Sequence, residues 1–143
     1  MDVLVNVFYF KNKIGWCEVE FKDLSYEQVQ DLAYVIEQFY REIEKQCDRE
    51  KNYKFFDFFI EYTYMVDGAK VRVTLWNFLE RFNSKENKQR KRYKVMIKET
   101  SFFGGEIIKI TLNLDDKELE LLIQLLNGMK KGGLIKDYII EEE

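Results

Sequence analysis

The stretch Tyr53–Trp76, YKFFDFFIEYTYMVDGAKVRVTLW, decides the fold, because it joins the longest apolar and aromatic run of the chain to a clear turn signal. Asp67-Gly68 suits a two-residue turn in which both residues have positive φ. Such a turn fixes the pairing of the two strands of a hairpin. The predicted pairs are Val66 with Ala69, Tyr64 with Val71, Tyr62 with Val73 and Ile60 with Leu75, and these eight residues form the predicted core face.

The other face of the same hairpin is mixed in character and is the first candidate site. It carries large aromatic side chains, a thioether and both types of charge, which are the ingredients of a protein-protein hot spot when they are exposed. The alternatives are that the C-terminal strand or the segment 85–94 folds over this face, or that Lys70 and Arg72 only keep it soluble. The predicted protein-binding residues are Phe59, Glu61, Met65, Arg72 and Trp76.

Strand pairs are predicted on both sides of the central hairpin, because apolar residues alternate there. In the first pair, a three-residue loop places Val7 opposite Val19, whereas a two-residue loop would oppose an apolar to a charged residue. In the last pair, a turn at Gly104-Gly105 places Ile97 opposite Leu112. Both pairs therefore present one apolar face.

Each strand pair is followed by a helix that starts with the spacing of a capping box. The three boxes are Ser25 with Gln28, Asn77 with Glu80 and Asp115 with Glu118. Glycines between 128 and 133 end the third helix, and 134–140 form one more strand, at an edge. The sequence thus predicts an α+β fold, an antiparallel sheet of six or seven strands built from three ββα units with helices packed on one face. The units reflect either true duplication or convergence of any ββα unit on this pattern.

Composition narrows the class of protein. A chain of 143 residues suits a single domain over 1–143, and 46% hydrophobic with 34% charged residues is typical of a folded globular protein. No apolar run reaches the roughly 18 residues that span a bilayer, so no membrane partner is expected. Cys17 and Cys47 are far apart and form no CxxC pattern, which favours a reduced, cytoplasmic setting.

Catalytic residues are scarce in this chain. It contains no histidine, which removes the commonest general base, the commonest metal ligand and every Ser-His or Cys-His arrangement. Glu18, Glu20 and Glu61 are carboxylates of strand surfaces, and Cys17 falls on a predicted core face without a base. The segment 128–133, GMKKGG, lacks the order of a P-loop. We therefore predict a protein that is not an enzyme and uses neither a cofactor nor a metal.

A basic stretch, Lys85–Lys94, is the second candidate site. It carries six Lys or Arg against one Glu, in a chain whose formal net charge is only -3. Arginine forks bind phosphate oxygens, and an aromatic ring can stack on a base. The alternative is a solvated loop. The predicted phosphate-binding residues are Lys88, Arg90, Lys91, Arg92, Tyr93 and Lys94.

These features predict a non-catalytic binding or inhibitor protein that acts on another protein by steric occlusion. Anti-defence proteins of phages and mobile elements and toxin-neutralising immunity proteins have this general character. The alternative is a protein that binds or sequesters a nucleotide or another phosphorylated small molecule through the stretch 85–94. A homodimer is compatible with either hypothesis, since a long aromatic hairpin can leave a sheet edge exposed.

Overall fold

The computed structural model describes residues 1–10, 14–50, 55–64, 66–82, 88–99 and 107–143. Within these ranges the protein is α+β, with seven strands and three helices. The strands are β1 (Val3–Phe10), β2 (Ile14–Phe21), β3 (Phe55–Thr63), β4 (Lys70–Thr74), β5 (Lys91–Glu99), β6 (Ile107–Leu114) and β7 (Ile135–Glu142). The helices are α1 (Tyr26–Glu50), α2 (Leu75–Phe82) and α3 (Asp116–Lys131).

The strands form two antiparallel sheets, not the single sheet that the sequence predicts. One sheet has the order β2-β1-β3-β4 and the other the order β6-β5-β7. The first two strand pairs merge because β1 pairs with both β2 and β3. The third pair is completed by the C-terminal strand instead, because β5 takes β7 as its second partner.

Two of the three helices, α1 and α3, lie between the two sheets. Helices α1 and α3 pack against each other, and each contacts both sheets: α1 touches β3 and β6, while α3 touches β2, β6 and β7. Helix α2 covers β3 and β4 on the same side of the four-stranded sheet. Each sheet therefore buries one apolar face against the helical layer, and the described core is continuous from one sheet to the other.

The central hairpin has the predicted faces but a different register. Its strands pair Ile60 with Val73 and Tyr62 with Val71, two residues away from the predicted pairing. Of the two predicted turn residues, Gly68 has positive φ, at 65°, and Asp67 does not, so the two-residue turn that requires positive φ at both positions does not form. The wider turn leaves Val66 95% exposed and its predicted partner Ala69 exposed as well, which corrects the assignment of both residues to the core.

The registers of the flanking hairpins also differ from the predicted ones. Val7 lies opposite Cys17 instead of Val19, and Ile97 lies opposite Ile108 instead of Leu112. Residues 11–13 and 100–106, including the predicted Gly104-Gly105 turn, lie outside the described residues. Each shift is an even number of residues, so every side chain keeps its predicted face.

Two of the three predicted capping boxes are present. The boxes that start at Ser25 and at Asp115 both form, with each side chain accepting a hydrogen bond from the backbone N–H three residues on. The predicted start at Asn77 is wrong, because α2 begins at Leu75. There the Thr74 hydroxyl accepts a hydrogen bond from the Asn77 N–H at 3.4 Å. Trp76 consequently belongs to a helix and not to a strand.

Candidate functional site

The face of the four-stranded sheet that points away from the helices is called the outer face here. On β1 the buried residues Val3, Val5 and Val7 face the helices, so the residues between them belong to the outer face. Strand pairing arranges the outer face in rows across the sheet. The rows are Trp16, Phe8 and Asp57; then Glu18, Asn6, Phe59 and Thr74; then Glu20, Leu4, Glu61 and Arg72.

Three aromatic side chains and one arginine of the outer face lie next to one another and are together called the aromatic row: Trp16, Phe8, Phe59 and Arg72. The aromatic row crosses the three rows of paired residues diagonally. The ring centroids of Phe8 lie 6.4 Å from Trp16 and 5.6 Å from Phe59, the latter in edge-to-face geometry. The Arg72 Cζ lies 5.7 Å from the Phe59 centroid, and its Nε lies 3.7 Å from Glu61 Oε1. All four strands contribute to this row, which therefore crosses the whole sheet.

Three of the five predicted protein-binding residues come together in this way: Phe59, Glu61 and Arg72. The residues predicted from the sequence did not include Phe8 and Trp16. Both belong to another hairpin and lie beside Phe59 only because β1 pairs with β3. The available signal was their alternation with buried neighbours, which already placed both residues on the outward side of their strands.

The other two predicted protein-binding residues do not join the row. Trp76 lies on the helical side of the sheet, where its ring centroid is 5.6 Å from that of Tyr40 and the Arg41 Cζ stands 5.6 Å above it. The physical reason is the helix start at Leu75, which ends the strand alternation one residue before Trp76. Met65 lies outside the described residues.

Carboxylates outnumber cations on the strands of the outer face. Glu18, Glu20, Asp57 and Glu61 stand there, against Lys70 and Arg72 on β4. The two cations lie at the β4 edge, whereas Glu18 and Glu20 lie on β2 at the opposite edge, and Asp57 and Glu61 lie on β3. The outer face is therefore polarised, with an acidic end around Trp16.

Lys88 and Arg90, the first two cations of the basic stretch that the structure describes, form ion pairs with carboxylates of the same chain. Lys88 Nζ lies 2.6 Å from Asp31 Oδ1 and 3.8 Å from Asp115 Oδ2. Arg90 donates two hydrogen bonds to Glu118, at 2.9 and 3.0 Å. These hydrogen bonds raise the pKa of Lys88 and that of Arg90. The five residues are called the ion cluster.

The ion cluster contains three carboxylates, Asp31, Asp115 and Glu118, whose oxygens lie within 4.8 Å of one another. Such a spacing suits a metal ion, but each carboxylate is already contacted by the ammonium of Lys88 or the guanidinium of Arg90. The three carboxylates thus have side-chain cations as partners. The arrangement ties α1, α3 and the start of β5 together.

The remaining predicted phosphate-binding residues are divided between the surface and the core. Lys91 pairs with Glu142 at 3.6 Å and Arg92 with Glu143 at 3.0 Å. Tyr93 is only 5% exposed and packs in the core, because it faces the helices, so it cannot stack on a bound base. Lys94 lines a cavity of about 320 Å³ together with the residues Lys45, Lys109 and Thr111. Lys85, at the start of the stretch, lies outside the described residues.

Cys17 is not poised for nucleophilic chemistry. Burial, with a smaller contribution from Glu18, raises the pKa of its thiol to about 11. The thiol therefore stays protonated at neutral pH, whereas the nucleophile is the thiolate. The two carboxylates of β2, Glu18 and Glu20, project from the outer face into solvent.

Comparison with protein-family models, with curated proteins and with solved structures finds no match for this chain. The fold and the site define an α+β protein with a helical layer between two antiparallel sheets and an aromatic row on the outward face of the four-stranded sheet. None of the helices in the described part of the chain has the length and apolar character needed to cross a membrane.

Proposed function

We propose that this protein binds another protein through the outer face of its four-stranded sheet and inhibits it by steric occlusion. The observation that carries this proposal is the aromatic row, in which Trp16 is 52% exposed and Arg72 stacks on Phe59. Tryptophan and arginine are enriched among the residues that dominate binding energy in protein-protein interfaces. A cytoplasmic setting is part of the proposal, since Cys17 is a free thiol.

The geometry of the row supports binding because its side chains are already held in place. Neighbouring rings contact one another, and Arg72 is held by both Phe59 and Glu61. Side chains that are ordered before binding lose less conformational entropy when a partner arrives. The row sits on a sheet whose opposite face is packed against three helices, so the surface it presents is rigid.

The experiment is capture of the partner from the native host, identification by mass spectrometry, and reconstitution with purified proteins. We expect Phe59→Ala with Arg72→Ala to weaken binding by about 30-fold or more, as for two interface hot-spot residues. Circular dichroism checks that the variant is folded. Unchanged affinity of the folded variant would remove the outer face from consideration, and self-association through this face would show a homodimer instead of a separate target.

A second candidate function is the binding of a nucleotide or another phosphorylated small molecule. It is favoured by the cavity at Lys94, whose volume of about 320 Å³ lies at the small end of ligand cavities, about 300 to 1,000 Å³. Arg92 and Lys45 line the cavity but pair with acidic neighbours. Lys94 and Lys109 form no ion pair within the described ranges and could face a phosphate.

A thermal-shift titration tests this second function. Inorganic phosphate and nucleotides are added to the wild-type protein and to a Lys94→Gln, Lys109→Gln variant, with Lys70→Gln on the other sheet as the matched control. A ligand at 100 times its Kd adds about 2.7 kcal/mol to the free energy of unfolding. The second function predicts a shift that only the double variant loses. The absence of any shift would contradict it.

We also propose that three ββα units underlie the fold. Support comes from the first and third units, each an antiparallel strand pair followed by a helix with a capping box. The second unit differs, since α2 has eight residues and starts at Leu75, where the Thr74 hydroxyl accepts from the Asn77 N–H and the predicted box at Asn77 is not the helix start. Duplication and convergence both remain compatible with this order of elements.

A further inference from the structure

The open edge of β6 carries backbone groups that already bind an amide. The Asn113 N–H donates to Gln38 Oε1 at 3.1 Å, and the Asn113 C=O accepts from Gln38 Nε2 at 3.2 Å. A primary amide offers one carbonyl and N–H donors, as a peptide unit does. Gln38 of α1 therefore occupies the place that one residue of a neighbouring strand would take.

The pairing of β5 with β6 determines which other groups point to this edge. Asn113 lies opposite Arg92, whose C=O accepts from the Glu143 N–H at 2.9 Å, on the β7 side. Arg92 and Asn113 thus direct their backbone groups away from each other, as residues of a non-hydrogen-bonded pair do. Such pairs alternate along an antiparallel ladder, and the register here is uninterrupted. The N–H and C=O groups of Thr111 and of Lys109 therefore also point to the open edge.

Open space adjoins Thr111 and Lys109. Both residues line the cavity of about 320 Å³, together with Glu42 and Lys45 of α1. Among the residues that the structure describes, none bonds to the edge N–H or C=O of Thr111 or of Lys109. An open strand edge is a template on which an extended segment of another chain adds as a strand. This edge has both the backbone groups and the room for such a segment.

Charge around the edge favours an acidic segment. The side chains that line the cavity carry four positive and two negative charges. On the outward face, Lys109 stands on β6 itself, and Lys94 stands opposite Thr111. A residue of an added strand would lie directly across from Lys109, where an opposite charge stabilises the pair and a like charge destabilises it. A carboxylate is therefore the group that fits there.

We propose that β6 accepts an extended acidic segment of another protein as an additional strand at Lys109 and Thr111. Alternate side chains of the segment lie on the outward face beside Lys109, and those between them point toward α1. A second copy of β6 fits less well, because it would bring the two Lys109 side chains together. The site belongs to the other sheet from the aromatic row, so the inference goes beyond the proposed function and does not rest on it.

Amide hydrogen exchange of the protein alone tests the geometry. The N–H groups of Thr111 and Lys109 should exchange several-fold faster than those of Ile110 and Leu112, which point to β5 and are bonded in the ladder. Equally slow exchange of all four groups would overturn the inference, because the edge would then be paired already. Protection that appears only at high protein concentration would also overturn it, because a second copy would then occupy β6.

The probe for binding is a heptapeptide of alternating glutamate and valine with acetyl and amide ends, titrated into ¹⁵N-labelled protein. We expect it to protect the N–H groups of Thr111 and Lys109 from exchange, and to bind several-fold more tightly than the same peptide with lysine in place of glutamate. Two further peptides are N-methylated, one at the glutamates and one at the valines. Because only one edge of the peptide faces β6, one methylated peptide should bind about tenfold more weakly and the other should not.

Equal binding of the two methylated peptides would overturn the inference. If both bind as the unmodified peptide does, the cavity attracts anions by charge alone, as the second candidate function requires. If both lose binding equally, the peptide does not add as a strand. These peptides act on the wild-type protein, so the result does not depend on the folding of a variant.

Substitutions at two sheet edges complete the test. Thr111→Pro removes an edge N–H but no ladder bond, and should weaken peptide binding about tenfold. Glu18→Pro is the matched control at the open edge of β2, where the Glu20 C=O accepts from Gln124 Nε2 at 3.3 Å and so points away from β1. This control should leave binding unchanged, and Lys109→Glu should reverse the preference between the glutamate and lysine peptides. Equal effects of the two prolines, or an unchanged preference, would contradict strand addition at β6.

Discussion

At the scale of single residues, two glycines allow α3 to approach the four-stranded sheet. A Cβ on Gly128 would lie 2.6 Å from a methyl carbon of Val19, and a Cβ on Gly132 would lie 2.5 Å from the Cβ of Cys17. Gly128 lies inside the helix and does not end it, so its use is contact and not termination. These residues decide how closely the helix layer covers β2, the strand that carries Trp16.

Gly128→Ala should therefore destabilise the protein. Alanine gains about 1 kcal/mol in helix propensity over glycine, but overpacking against a β-branched side chain costs about 1 to 3 kcal/mol. We expect a net loss of about 1 kcal/mol in the free energy of unfolding, measured with urea. The Val19→Ala background removes the methyl groups in question, so Gly128→Ala should be neutral or favourable there. The same loss in both backgrounds would contradict the close contact.

The buried thiol of Cys17 predicts a pH dependence. Its pKa is raised from 9.0 to about 11, so the native state disfavours the thiolate. The corresponding stability is fully present below pH 9 and is lost as the pH rises toward 11, by up to about 2 to 3 kcal/mol. Burial also raises the pKa of Tyr34 and of Tyr40, which acts in the same direction at higher pH.

Urea unfolding at pH 8, 9, 10 and 11 measures this loss. Cys17→Ala should lower stability at pH 8, because it leaves a cavity, but should flatten the fall between pH 9 and pH 11, so that the difference from the wild type shrinks as the pH rises. Parallel pH profiles for the wild-type protein and the variant would show that the thiol does not titrate as its burial requires.

At the scale of secondary-structure elements, the ion cluster fixes the start of β5 against α1 and α3. Arg90 stacks on Tyr34 at 3.8 Å and binds Glu118, a carboxylate that is fully buried and also accepts from the Asp115 N–H. The cation and the helix cap thus share one side chain. Lys88 and Arg90 of the basic stretch therefore stabilise the packing of these elements and do not form an open binding surface.

Arg90→Met should be strongly destabilising, because it leaves the Glu118 charge buried without its cation. Breaking one partner of such a pair costs about 3 to 5 kcal/mol. Lys94→Met, in the strand that follows Arg90 but outside the ion cluster, should change the free energy of unfolding by less than about 0.5 kcal/mol. Denaturant unfolding measures both, and similar small effects for the two variants would contradict a structural role for Arg90.

The sequence predicts the faces of these elements better than their pairing. Alternation assigns Val7, Ile60 and Ile97 to the core, and all three are fully buried. It does not determine the register, because shifting a pair by two residues keeps the same faces. The predicted two-residue turn is wrong because it requires positive φ at Asp67, and Asp67 does not have positive φ. In the same way Trp76 satisfied strand alternation while being the second residue of a helix.

At the scale of the whole molecule, the sandwich leaves two outward sheet faces of opposite charge. The outer face of the four-stranded sheet has four carboxylates against two cations, a net of -2. The outward face of β5, β6 and β7 has four cations against two carboxylates, a net of +2. Those cations are Arg92, Lys94, Lys98 and Lys109, and the carboxylates are Asp137 and Glu141.

The division into two sheets could not be predicted from the sequence, since it depends on which strand completes each pair. Apolar alternation describes one strand at a time. It does not say which strand pairs with the second edge of β1 or of β5. The aromatic row depends on the pairing of β1 with β3, because this pairing places Phe8 beside Phe59. The site therefore arises from a long-range pairing that local sequence patterns do not encode.

The two half-exposed tryptophans, Trp16 and Trp76, test whether the outer face is the binding surface. The measurement is the Kd of the purified partner for Trp16→Ala and for Trp76→Ala, side by side with the wild-type protein. We predict that Trp16→Ala weakens binding by about 30-fold or more, as for a hot-spot tryptophan, while Trp76→Ala stays within about twofold of the wild type. Equal losses, or a loss for Trp76→Ala alone, would contradict the account.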